Sequence, residues 1–133
     1  MKKRVISAAI VSAILIAAII GIRYLNSVNQ YQKAVSDTTY DNEDAAQVPD
    51  GTYTGEYDVN FISAKVEVQV KQGNITTIEL LEHNHDRGSA AEGIVQEIIR
   101  QQKVDVDAVS GATNSSTVIK KAVDNALSAG MTK

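Results

Sequence analysis

The stretch Asp107-Ala108-Val109-Ser110-Gly111-Ala112-Thr113, followed by Asn114-Ser115-Ser116-Thr117, gathers one carboxylate, several hydroxyls and small residues into a single short segment. An amphipathic run starts directly behind it. The first turn of a helix has N–H groups without intrahelical partners, and the positive end of the helix dipole lies at the same place. A narrow Ser-Gly-Ala loop that opens onto such a terminus suits a phosphate. The same residues also describe a well-capped helix start with no ligand. Ser, Thr and Asn are favoured N-caps, and Gly111 permits a turn with positive φ. Spacing alone leaves both readings open.

A second set is His83-Asn84-His85-Asp86. In an extended segment His83 and His85 point the same way, and Glu82 or Asp86 could join them at a metal. Without clear third and fourth ligands these are weak metal candidates, and a solvated loop is the simpler reading.

The elements that position these residues follow from periodicity. Ala64, Val66, Val68 and Val70 alternate with Lys65, Glu67, Gln69 and Lys71, the period-2 pattern of a half-buried strand. Gln72-Gly73-Asn74 supplies a hairpin turn, and Ile75 to Glu82 forms the return strand. Before them, Gly51 to Tyr57 reads as a strand with Tyr53 and Tyr57 on one face. Ser89-Ala90-Ala91-Glu92 has the pattern of a capping box, and Ile94, Val95, Ile98 and Ile99 make an apolar stripe behind it. Val104-Asp105-Val106 is a short strand or extended link. Val118, Ile119, Ala122, Val123, Ala126 and Leu127 define a last helix, with Gly130 expected just past its end. These elements predict a small α+β domain, an antiparallel sheet with two packed helices, preceded by one N-terminal transmembrane helix. Its core is lean, with one Phe and no Trp, so a bound cofactor would add stability.

Val5 to Ile22 carries no charge and only Ser7, Ser12 and Gly21 interrupt its Val, Ile, Leu and Ala. That run reaches the length of a bilayer span, roughly 17–25 residues. It exceeds the usual signal-peptide core and lacks a convincing Ala-x-Ala site, so an uncleaved anchor is expected rather than a cleaved leader. Lys2, Lys3 and Arg4 precede it and Arg23 follows, which places the N-terminus in the cytoplasm and the remainder outside. The expected organisation is an anchor over 1–25, a polar stalk over 26–49 that is mobile between Asp37 and Gln47, and a folded domain over 50–133.

The chain has 13 basic and 16 acidic residues; without Lys2, Lys3, Arg4 and Arg23, 9 basic residues face 16 acidic ones, a net charge of −7. So acidic a domain argues against nucleic acid. The absence of cysteine excludes disulfides, cysteine-ligated iron–sulfur clusters, Cys-x-x-Cys-His haem attachment and a lipid-modified cysteine.

Asp-x-x-Ser-Gly-Ala-Thr resembles the motif of bacterial FMN-binding domains that carry FMN ester-linked to the last threonine. The opening Asp50-Gly51-Thr52-Tyr53-Thr54-Gly55, the Val-rich hairpin, the Ile-rich helix and the terminal helix follow in that family's order. The resemblance implies FMN as cofactor, Thr113 as the covalent acceptor, and Ser110, Gly111, Ala112, Asn114 and Ser115 as phosphate-side contacts. It implies Asp107 as a residue recognised by the flavin transferase, which uses FAD and magnesium. Ser115, Ser116 and Thr117 are competing acceptors on chemistry alone. On this reading the loop His83 to Gly88, with Arg87, borders the flavin ring, while Tyr53 and Tyr57 are core aromatics or a face for it. The implied function is a membrane-anchored extracytoplasmic electron carrier with redox proteins or quinone as partners, rather than an enzyme with its own substrate. A non-redox binding or scaffold module of a membrane complex is the alternative.

Overall fold

The computed structural model describes every residue except Asp86, Arg87 and Lys133. It divides into two compact units, Met1–Lys33 and Ala34–Lys133.

The first unit is almost all of α1 (Lys2–Ser36), a helix with no buried residue. Ile14 and Ile20 are 62% and 63% exposed, an apolar surface that the protein itself leaves uncovered. The helix is long and apolar enough to cross a membrane. The two hydroxyls of its uncharged 5–22 run are satisfied within the helix: Ser7 Oγ donates to Lys3 O at 2.9 Å and Ser12 Oγ to Ala8 O at 3.0 Å. That is what a bilayer interior requires of a polar side chain.

The second unit holds β1 (Gly51–Asp58), β2 (Ser63–Lys71), β3 (Asn74–Asn84), α2 (Ile94–Gln101) and α3 (Thr113–Met131). The strands form an antiparallel sheet in the order β1-β2-β3. The β2–β3 turn is Gln72-Gly73, with φ of +50° and +74°, the two positive values that a tight hairpin with right-handed twist demands. Ala64, Val66, Val68 and Val70 are all 0–2% exposed, as are Val118, Ile119, Ala122, Val123, Ala126 and Leu127. α3 lies across β1 and β2, so these two apolar rows form the core. Gln102, at the left-handed end of α2, fixes that helix to the sheet. Its amide accepts from Ile75 N and donates to Ile75 O, both at 2.8 Å.

Three local expectations are revised and one open choice is settled. The stretch expected to be mobile, Asp37 to Gln47, is packed: Ala45 is 4% exposed, and the Asp124 carboxylate accepts from Asp41 N at 2.9 Å and Asn42 N at 3.2 Å. Gly130 does not stop α3, which continues to Met131. A Cβ on Gly130 would come within 2.6 Å of Val48 Cγ1 and 3.0 Å of the Tyr53 ring, so close packing, not termination, requires glycine there. Val104-Asp105-Val106 is an irregular link rather than a strand. Ser89 makes no capping box; Ser89–Gly93 is a 3-10 turn without a side-chain cap, and Glu92 turns elsewhere.

Candidate functional site

The motif loop is built around one turn. Ala112 N donates to Val109 O at 3.0 Å, and Gly111 between them has φ +80°, the value required at the third position of a type II turn. No atom lies within 4 Å of where a Gly111 Cβ would be. Glycine is therefore needed for its backbone angle and not for space. The cap position of α3 is Ala112, which has no side chain to offer. Ser116 ties the loop from inside the helix instead. Its Oγ accepts from Val109 N at 3.0 Å and donates to Ala112 O at 2.8 Å.

A second clamp acts on the approach to the loop. Lys120, with an 8% exposed side chain, donates to Val106 O at 2.8 Å and to Asp105 Oδ1 at 3.1 Å. Its ammonium sits 4.6 Å over the Tyr40 ring, a favourable cation–π position. One more residue of α3, Asp124, is fully buried and also bonds Lys121 Nζ at 2.7 Å. Burial opposes the charge on Lys121, but the hydrogen bonds and attraction of Asp124 and Asp41 outweigh it and hold the ammonium above its ordinary value of 10.5.

Exposure sorts the hydroxyls that the sequence left equivalent. Ser115 and Ser116 are 2% and 0% exposed, and Ser116 is consumed by its two bonds. Thr117 Oγ1 donates to Thr113 O at 3.0 Å. Thr113 is the first residue of α3 and is exposed, as are Ser110, Gly111 and Asn114, while Ala112 is buried beneath them. The first turn of α3 contains no acidic residue, so nothing there opposes an anion at the positive end of the dipole. Asp107 is exposed and its carboxylate makes no hydrogen bond among the described residues.

The histidines come together with a residue that periodicity had assigned to capping. His83 Nδ1 lies 3.2 Å and His85 Nε2 3.7 Å from Glu92 Oε1, and the two rings are 4.3 Å apart. Two register shifts in β3 cancel by His83, which stays in phase with Ile75. Skipping Thr76 and Leu81 puts Ile75, Ile78, Leu80 and His83 opposite Val70, Val68, Val66 and Ala64. Residues directly opposite share a face, so His83 faces inward and its side chain is only 2% exposed. Glu82 pairs with the outward Lys65 and is no ligand partner; Asp86 and Arg87 lie outside the described residues.

One ligand atom from each of His83, His85 and Glu92 fits within 4.8 Å of the others, which is a metal-like grouping. The surrounding bonds argue against a metal. A metal-bound imidazole donates its other ring N–H to an oxygen. Here His85 Nδ1 accepts the Gly88 N–H at 3.0 Å, and His83 Nε2 is buried with no partner among the described residues. For neutral rings the Glu92 bond places the His83 proton on Nδ1, and the Gly88 bond leaves the His85 proton on Nε2. Those are the nitrogens a metal would need bare.

The histidine cluster and the motif adjoin. A Cβ on Gly88 would stand 1.9 Å from Ser115 Oγ and 3.3 Å from His85 Cβ, so the loop after β3 packs directly on the first turn of α3. Two shallow depressions of about 520 and 450 Å³ lie along the sheet, at Asp50–Thr52 with Gln69–Gln72 and at Glu56–Asp58 with Ser63–Lys65, Glu82 and Asn84; neither is lined by the motif loop or by His83, His85 or Glu92.

A small antiparallel sheet backed by two helices, with an exposed threonine heading the terminal helix, defines a small α+β module. Residues 60–128, more than half of the chain, match the FMN-binding domain family, and the chain belongs to that family. FMN is the cofactor this membership assigns. A protein of Treponema pallidum (strain Nichols) described as uncharacterized is 32% identical over 85 residues, 62% of this chain. The chain spans 24% of that relative's length.

Proposed function

We propose that this protein is a membrane-anchored, extracytoplasmic electron carrier with FMN joined through its phosphate to Thr113. The observation that carries the reading is the exposed Thr113 hydroxyl on the first residue of α3, beside a φ-positive glycine turn and away from any first-turn carboxylate. The basic residues Lys2, Lys3 and Arg4 before α1 support a cytoplasmic N-terminus and an outward domain.

Attachment is a phosphoryl transfer from FAD. The Thr113 hydroxyl loses its proton, its Oγ1 bonds to the flavin-side phosphorus, and the pyrophosphate bond breaks with AMP leaving. A flavin transferase with magnesium supplies the catalysis, and exposed Asp107 gives it a charged point of recognition. Ser116 and Lys120 hold the loop in one shape, which lowers the ordering cost of presenting Thr113 to that enzyme. Ser110 and the first-turn N–H groups bond the phosphate once it is linked, and Gly111 leaves room around it. When bound, FMN supplies one- and two-electron chemistry that no side chain of this cysteine-free chain offers. Redox proteins or quinone at the outer membrane face are the partners this role requires.

The test is intact mass and peptide mapping of protein made with and without the transferase. FMN on the peptide containing Thr113, lost in Thr113→Ala and kept in Ser110→Ala, is the expected result. Flavin on another residue overturns the assignment.

A further inference from the structure

We infer that His83 is a flavin-binding residue, its Nε2 accepting a hydrogen bond from a ring N–H of the isoalloxazine carried on Thr113. This rests on the flavin reading above and extends it to the ring, for which the attachment motif provides no contact.

The strand register buries the His83 side chain to 2% exposure. Its Nδ1 is committed to Glu92 at 3.2 Å, and an ionised carboxylate can only accept, so in the neutral ring the proton is on Nδ1 and Nε2 presents a lone pair. That lone pair has no donor among the described residues, where only Ser128 Oγ shares its condition. A buried polar atom left unbonded is costly, and in native proteins it points to a missing partner. Metal is argued against as that partner, because the neighbouring ring takes a backbone N–H on Nδ1 instead of donating from it. A neutral N–H donor is what the geometry lacks.

Placement favours the flavin as its source. His83 contacts His85 at 4.3 Å between ring centroids, His85 Nδ1 is bonded to Gly88 N, and Gly88 packs on Ser115 with no room for a Cβ. Ser115 is two residues beyond Thr113 on α3. The cluster thus forms the wall beside the attachment point. The Glu92 bond fixes the His83 tautomer, so the acceptor is set before a ring arrives and less ordering is required on binding.

The experiment uses the full chain in detergent, flavinylated by the transferase with FAD carrying 15N in the flavin ring. Wild type, His83→Phe and His83→Gln are compared. Intact mass reports attachment and NMR reports solvent exchange of the ring N–H protons. Attachment is expected in all three. A ring N–H of wild type is expected to exchange about tenfold faster in His83→Phe, the factor equivalent to about 1.4 kcal/mol of lost hydrogen bonding. His83→Gln, which retains an acceptor oxygen, is expected to fall between them. Attached flavin with unchanged exchange in both variants overturns the role of His83 while leaving Thr113 intact, and means a buried water satisfies Nε2. A wild-type protein that takes up no FMN overturns the underlying reading and this inference with it.

Discussion

Gly55→Ala tests whether α3, and with it Thr113, is seated by one missing side chain. A Cβ at Gly55 would lie 2.1 Å from Ala122 O and 2.4 Å from Ala126 N. Both are backbone atoms, so no rotamer relieves the overlap. Ordinary contact begins near 3.4 Å, so α3 must retreat from β1 by about 1.3 Å. A gap of even about 0.5–1 Å forfeits a quarter to a half of the dispersion energy across an interface. Here the whole row from Val118 to Leu127, fully buried at Val118, Ile119, Ala122, Val123, Ala126 and Leu127, would be lifted. The expected loss is at least about 3 kcal/mol, the top of the usual overpacking range. That corresponds to a fall in Tm of about 12–24 °C for a domain of this size. Near-UV circular dichroism of the full chain in detergent reads it through buried Tyr53. Gly93→Ala is the control. Nothing lies within 4 Å of its Cβ position and its φ −64°, ψ −15° are helical, so it should gain about 0.4–1 kcal/mol. A Gly55→Ala protein melting within about 4 °C of wild type would refute the close-approach account.

Two further outcomes follow from the charges on α3. Asp124→Ala leaves Asp41 N, Asn42 N and Lys121 Nζ without their shared acceptor; it should cost about 2–4 kcal/mol and open the 37–47 segment to limited proteolysis. An unchanged cleavage pattern would show that this carboxylate does not hold the segment down. Lys121 has a folded pKa above its ordinary 10.5, so its contribution to stability is complete below 10.5 and is lost as pH rises through the higher folded value. The stability difference between wild type and Lys121→Met should therefore shrink in urea titrations as pH passes 10.5. A constant difference from about pH 8 to 11 would assign the effect to packing of the side-chain stem.

The hairpin was legible because Ala64 to Val70 follows a two-residue period and Gln72-Gly73 can adopt the positive φ values that a tight turn needs. α1 was legible from an uncharged run, and the helical stripes of α2 and α3 from apolar spacing. The segment before Pro49 was misread because its polar residues suggest solvent. Their backbone donors are in fact taken by Asp124, a carboxylate some 80 positions away. A polar residue set among Val123, Ala126 and Leu127 was the available signal. Glu92 was read as a local cap because local bonds are all that a four-residue pattern can express.

By itself the sequence determined the FMN-binding family, the long apolar helix and the threonine to examine, since each is written in residue types and short spacings. The tertiary structure decided which hydroxyls are accessible, by burying Ser115 and Ser116 and exposing Thr113. It also decided which side chains of β3 share the inner face with Ile75 and His83. Strict alternation from Ile75 would use Thr77, Glu79 and Leu81 to reach His83, and two shifts in pairing replace them with Ile78 and Leu80. Such shifts arise where the chain trades ladder regularity for burial of its larger apolar side chains. That trade is settled between strands and helix and leaves no mark on a single segment.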